Sequence, residues 1–334
     1  MLAVHHHHHL QPQACSTACK DSTQTMTQTL TTQRRATLIG AISVFLWGLL
    51  ALFTQLSGNQ IPPFQMLTMT FGIAWLLMML KGCLLGPSPL RVLRQPLVAW
   101  LLGVGGLFGF HVCYFQAMAL APAVEVGLLA YLWPLLIVLF SALLPGQKLH
   151  PLHVAGALAA LLGCWLLLGK GDTGFDAKYW QGYGLALACA LIWSGYSVAS
   201  RLVARVPTDA VGWFCGATAL LGLICHLLWE APVWPQSLTQ WSAVLGLGLG
   251  PVGIAFFTWD HGVKHGDLRL LGVLAYGAPL ISTLLLVLSG FAQASLSLLL
   301  ASLLIVGGAL VAGVMPSWLQ RNRGKGEAAT GGQK

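Results

Sequence analysis

Charge is scarce in this chain. Only 8% of its 334 residues are Asp, Glu, Lys or Arg, where a soluble protein carries about 25%. With 56% of residues hydrophobic, no water-soluble core absorbs the apolar surplus, so the solvent for most of the chain is lipid. Basic residues outnumber acidic ones by 17 to 9. They are not gathered on one face as a nucleic-acid binder requires, so the excess reads as membrane orientation and no nucleic-acid partner is expected.

The signatures of chemistry are missing too. There is no Ser/His/Asp pattern, no phosphate-binding loop and no ATP-hydrolysing segment. The chain is therefore not expected to be an enzyme or to hold a cofactor, and any transport it performs must run on gradients or be facilitated. No lysine or arginine lies centrally in an apolar run, which argues against a phosphate or nucleotide-sugar pocket. Cys15 and Cys19 stand four apart with no second pair downstream, so a zinc site is not expected; the other six cysteines lie within or beside apolar runs as small packing residues. His5 to His9, a tag or a native oddity, is set aside from fold reasoning, and no secretory signal is read ahead of the first apolar run.

What is present is long apolar runs. A membrane helix needs roughly 20 apolar residues, and ten runs meet that: 37–57, 63–82, 97–118, 122–144, 150–169, 180–200, 209–229, 239–259, 268–289 and 294–314. Short connections force neighbours to run antiparallel. With both termini cytoplasmic, fifteen Lys and Arg fall on the inner side and only Lys170 and Lys178 on the outer. That bias supports ten spans and an inner-membrane, multi-pass location.

The halves are related. Leu129-Ala130-Tyr131-Leu132-Trp133-Pro134-Leu135 matches Leu274-Ala275-Tyr276-Gly277-Ala278-Pro279-Leu280 at an offset of 145. At the same offset Gly103 meets Gly248, Gly105 meets Gly250, Gly127 meets Gly272 and Gly163 meets Gly308, while Trp47 meets Trp193 at 146. Five spans per copy is an odd number, so the second copy must be inverted. Inverted repeats with paired interruptions are a transporter signature. The organisation expected is a polar tail over 1–35, a first five-helix repeat over 36–170, an outer linker over 171–179, a second repeat over 180–315 and a basic tail over 316–334.

"RRATLIG…LW", "AVEVG…YLWP" followed by "GQK", "ALIWSGY" and "HG…AYGAPL" together resemble the drug/metabolite transporter superfamily. Within it the resemblance is to the ten-helix EamA branch and its YddG-type aromatic amino-acid exporters, from about Arg34 to Gly313. The resemblance implies an all-α basket of ten helices in two inverted repeats around a central hydrophobic cavity, with export by alternating access. It also implies a cavity lined from spans 1, 3, 4 and 6. The matching positions are His111, Tyr114, Trp133 and Trp193, with Trp47 a less direct match. Span 9 is smaller than its counterpart here.

Read residue by residue, His111, Tyr114 and Phe115 share a helix face by spacing. An ionisable group inside a span is a functional candidate by default, against a histidine satisfied by a neighbouring helix. Trp133 lies roughly 18 Å into its run, too deep for an interfacial belt. Pro134 removes a backbone hydrogen bond just after it, and Pro279 repeats the break. With Tyr131 and Tyr276 beside them, these prolines read as a hinge or gate. Glu125 falls in the first turn after Pro122, where the helix dipole favours a carboxylate; the alternative is an outer-gate ligand for an ammonium or a proton-linked switch.

Three patterns read as structural. Gly248-x-Gly250-x-x-Gly253 lies inside a span and suits close helix packing. His261 and His265 fall in an expected cytoplasmic loop with Asp267 capping the next span. Asp260 is expected to be solvated, or else part of an inner gate. Small molecules and the lipid bilayer are the partners expected, for a chain acting as a monomer. The function expected is export of a broad range of amino acids, aromatic or hydrophobic ones preferred; the alternative is export of drugs or cationic amphiphiles through Glu125. An intramembrane enzyme or a channel fits the paired prolines less well.

Overall fold

The computed structural model describes residues 13–169 and 174–331. The His5 to His9 run, Lys170 and Lys334 lie outside the described residues. Among the described residues, ten helices are long and apolar enough to cross a bilayer: α1 (Thr17–Leu56), α2 (Pro63–Leu85), α3 (Leu97–Leu120), α4 (Ala123–Ser141), α5 (Pro151–Gly169), α6 (Ala177–Val203), α7 (Ala210–Trp229), α8 (Leu238–His265), α9 (Leu268–Leu288) and α10 (Leu296–Gly331). Each covers one of the ten apolar runs. The count is even, so the chain returns to the face on which it starts, called here the terminal face.

Three boundaries differ from expectation. The polar N-terminal tail is helical from Gln13, continuous with α1 to Gly48. There Thr23, Thr27 and Thr31 turn their hydroxyls onto the carbonyls four residues earlier, at 2.8, 2.9 and 2.9 Å, which satisfies polar side chains without leaving the helix. The basic C-terminal tail is likewise helical over Met315–Gly331. The loop expected at His261 to His265 is the last turns of α8, and the chain leaves the helix only at Gly266. Asp267 does cap α9, accepting from the Leu270 amide at 3.2 Å.

Helix pairings reveal a two-fold relation between the halves. Helices α5 and α10, α2 and α7, and α4 and α9 each pack against their own counterpart. The α3–α6 contact is matched by α8–α1, and α4–α6 by α9–α1. At the α5–α10 crossing the symmetry reaches single residues: a Cβ on Gly156 would stand 2.4 Å from the Gly308 carbonyl, and one on Gly163 would stand 2.9 Å from the Ala301 carbonyl. At the offset of 145, Gly163 corresponds to Gly308 and Gly156 to Ala301, so each contact is the image of the other, as a two-fold axis demands. Only small residues allow backbones this close.

Two counterpart helices are broken. Helix α4 is divided into Ala123–Ala130 and Trp133–Ser141, and α9 into Leu268–Leu274 and Gly277–Leu288. The breaks precede Pro134 and Pro279, each of which withholds an amide from the ladder. Outward faces carry rows of exposed leucines, such as Leu76, Leu80 and Leu84 on α2 and Leu296, Leu299 and Leu303 on α10. In water such rows would be a liability; against acyl chains they are the required surface. Polar groups gather at helix ends, where Glu230 accepts from the first amides of α2, Phe64 and Gln65, both at 3.0 Å, and takes His226 at 2.9 Å.

Candidate functional site

The two-fold relation brings α1, α3, α4, α6 and α8 together, and each contributes aromatic rings to one cluster. Trp47 stands at its centre, with ring centroids 6.0 Å from Trp133, 5.9 Å from Trp193, 6.0 Å from Phe256 and 5.1 Å from Trp259. Trp133 meets Trp193 at 6.4 Å and Trp259 at 5.7 Å, both close to perpendicular. Edge-to-face contacts suit the ring quadrupole and are worth about 0.5–1.5 kcal/mol each beyond burial. His111 joins through Phe71 at 5.2 Å and Phe256 at 6.4 Å. Phe71 and Phe256 stack at 5.5 Å.

Hydrogen bonding sorts the tryptophans into two kinds. The Trp47 indole donates to the Pro251 carbonyl at 2.9 Å. Pro251 sits in a π-turn, Gly248–Ile254, whose widened geometry takes carbonyls out of the α ladder. Trp259 is fully buried and donates to the Ser197 hydroxyl at 3.0 Å. Trp133 and Trp193 are also buried, yet neither indole N–H has a hydrogen-bond partner among the described residues. The His111 Nδ1 lies 2.6 Å from the Leu107 carbonyl on its own helix. A carbonyl only accepts, so Nδ1 carries a proton, and Nε2 has no protein partner among the described residues.

The sequence-predicted residues divide accordingly. Trp47, Trp133 and Trp193 touch one another. His111 lies on the same cluster, but Tyr114 is not its ring partner; Tyr114 stacks on Phe110 at 6.0 Å, one helical turn away. Tyr131 leans on Trp133 at 6.1 Å. Tyr276 is fully buried and its hydroxyl accepts from the Leu135 amide at 3.1 Å. The break in α9 thus holds the start of the second half of α4. A Cβ on Gly272 would stand 3.1 Å from the Pro134 carbonyl, so the backbones nearly touch there.

Glu125 sits in the first turn of α4, as expected, and is 8% exposed. It has no hydrogen bond or ion pair among the described residues. Asp260 departs from expectation. It is buried rather than solvated, because Lys264 Nζ stands 2.9 Å from its carboxylate and Thr208 donates to it at 2.9 Å.

Phe71, Phe256 and Trp259 were missed. For two of them a signal existed: the offset of 145 carries His111 to Phe256 and Tyr114 to Trp259. Phe71 carries no such mark. It is one apolar residue among many on α2.

Lipid-facing helices, two inverted halves, paired helix breaks and a central aromatic cluster define a membrane transporter. The chain belongs to the EamA-like transporter family, whose pattern it matches twice, over residues 34–169 and 180–314. It is 57% identical over 279 residues to the aromatic amino acid exporter YddG of Ancylobacter novellus, covering 83% of this chain and 96% of that one. Identity to the aromatic amino acid exporter YddG of Escherichia coli is 28%, over 88% of this chain and all of that protein. The pseudopaline exporter CntI of Pseudomonas aeruginosa is 30% identical, over 53% of this chain and 61% of its own length. A solved crystal structure 54% identical in sequence superposes with a TM-score of 0.83, covering 86% of this chain and 99% of that one.

Proposed function

We propose that the chain exports amino acids with aromatic or other hydrophobic side chains across the inner membrane by alternating access, as a monomer rather than an enzyme. The observation that carries this reading is the set of unpartnered polar atoms on the aromatic cluster. A free amino acid presents an ammonium and a carboxylate beside its side chain. The His111 Nε2 lone pair suits the ammonium, the Trp133 and Trp193 indole N–H groups suit the carboxylate, and the surrounding rings suit an aromatic side chain. The 57% identical relative, an aromatic amino acid exporter, supports the same substrate class.

The basic residues crowd the terminal face, which makes that face cytoplasmic under the positive-inside bias. Pro134 and Pro279, with Tyr131 and Tyr276 beside them, form the hinge about which the repeats rock. Glu125 guards the outer end of α4. Its unpaired burial is what favours a second reading, a cation-selective site for amphiphiles.

Counterflow of labelled phenylalanine in proteoliposomes tests both. Saturable counterflow that Trp133→Ala abolishes and that leucine competes weakly is the expected result. Absence of phenylalanine counterflow, with dye transport lost in Glu125→Gln, would overturn amino-acid export in favour of the cation reading.

A further inference from the structure

The terminal-face end of α8 carries two charges inside the protein. The Asp260 and Lys264 side chains are each 3% exposed. They lie four residues apart on one helix, so their 2.9 Å ion pair travels with α8 wherever it moves. Their other bonds leave the helix. Thr208 donates to Asp260 Oδ2 at 2.9 Å, and Lys264 Nζ donates to the Val206 carbonyl at 3.0 Å. Thr208 and Val206 belong to the connection between α6 and α7. Arg201, at the end of α6, adds contacts from its guanidinium to the carbonyls of Val263 and Gly266 at 3.3 and 2.8 Å. The Thr37 hydroxyl of α1 accepts from the Asp267 amide at 2.8 Å.

The counterpart stretch of α3 has no equivalent. At the offset of 145, Asp260 corresponds to Phe115 and Lys264 to Ala119 on α3. Phe115 meets Phe64 of α2 edge-on at 5.5 Å. At this position one copy of the repeat is fastened by a buried ion pair and the other by an apolar contact, beside which Glu230 at the end of α7 holds the amides of Phe64 and Gln65. The fold does not require the charge, since its symmetric copy does without it.

We propose that Asp260 and Lys264, through Thr208 and Val206, form the latch of the terminal-face gate and set how often that face opens. The bonds across to the α6–α7 connection hold only while the site is dry. When α8 swings away, water must replace them on both charges, so closed and open states are each satisfied and the intermediate is not. Arg201 reinforces the closed state.

The inference rests on the alternating-access reading, and the test separates the two. Ser200 is 2% exposed on the last turn of α6, bonding only its own helix. A Ser200→Cys probe in an otherwise cysteine-free chain, reconstituted in liposomes, is labelled from the terminal face with an impermeant maleimide. Thr208→Val removes one latch bond and keeps the ion pair; Asp260→Asn with Lys264→Met removes the charges together. Labelling should rise roughly ten- to a hundred-fold in Thr208→Val, the worth of one hydrogen bond to a charge, and further in the double variant. Phenylalanine should shift the labelling of the parent chain. Labelling that responds to phenylalanine but not to Thr208→Val would overturn the latch and leave alternation standing, even if the double variant failed to fold. Labelling that responds to neither would overturn both.

Discussion

Helices α3 and α8 occupy counterpart positions and solve the same problem in different materials. Both place tight glycines first, then two ring-bearing positions, His111 and Tyr114 on one, Phe256 and Trp259 on the other, of which all but Tyr114 reach the central cluster. They part at the end. Helix α3 finishes on Phe115 against Phe64, α8 on Asp260 and Lys264 bonded into the α6–α7 connection. What symmetry imposes is spacing and burial. What each copy adds at these two helix ends is chemistry, a buried ion pair on α8 and a ring contact on α3.

The comparison breaks most sharply at the charges. Lys264→Met alone strands a buried carboxylate and should cost about 3–5 kcal/mol of stability, whereas adding Asp260→Asn should recover most of it. Thermal unfolding in detergent reads the difference. Phe115→Leu at the counterpart position should cost under about 1.5 kcal/mol, because no charge is left behind. Equal losses at the two positions would show that burial, and not charge, distinguishes the ends.

The glycines sharpen the likeness. A Cβ on Gly103 would stand 2.3 Å from the Phe214 ring and one on Gly248 would stand 2.6 Å from Ile73, while Gly250 has only Leu46 at 3.6 Å and Gly105 has open space. Gly103→Ala and Gly248→Ala should each destabilise by about 1–3 kcal/mol through overpacking. Gly105→Ala and Gly250→Ala should be neutral or stabilise by up to about 1 kcal/mol, from helix propensity. The same melts check it.

The next contrast lies among the tryptophans. Trp133→Phe keeps a ring but removes an untied indole N–H, so phenylalanine counterflow should fall about ten-fold with little change in melting, as for one lost hydrogen bond to a carboxylate. Trp259→Phe removes a donor already bonded to Ser197 and should cost about 1 kcal/mol in stability with a smaller transport effect. Initial rates and melts, measured side by side, distinguish them. Smallest of all, Glu125→Gln breaks no bond among the described residues, and its counterflow should fall less than two-fold, within about 0.4 kcal/mol of helix-dipole support.

Much of this was legible early. The lengths and flanks of the apolar runs fixed ten helices because a bilayer tolerates little else. Pro134 and Pro279 announced the breaks, since a missing amide has one meaning in a helix. The glycine pairs announced close backbones. Asp260 was misread because a carboxylate near a span's end is ordinarily wet, and nothing local reveals that Val206 and Thr208 fold over it. Phe256 and Trp259 went unread although the repeat offset pointed to them from His111 and Tyr114.

The sequence by itself determined the solvent, the number of helices, where two of them break and that the halves are inverted copies. These depend on composition and on backbone chemistry within a few residues. Only the tertiary structure decided which tryptophans are tied and which are free, that the break in α9 grips the start of the second half of α4 through Tyr276, and that two charges on α8 are dry. Those outcomes depend on which atoms from distant segments arrive within hydrogen-bonding reach, and apolar periodicity is blind to that, because every face of a membrane helix can look alike until a partner covers it.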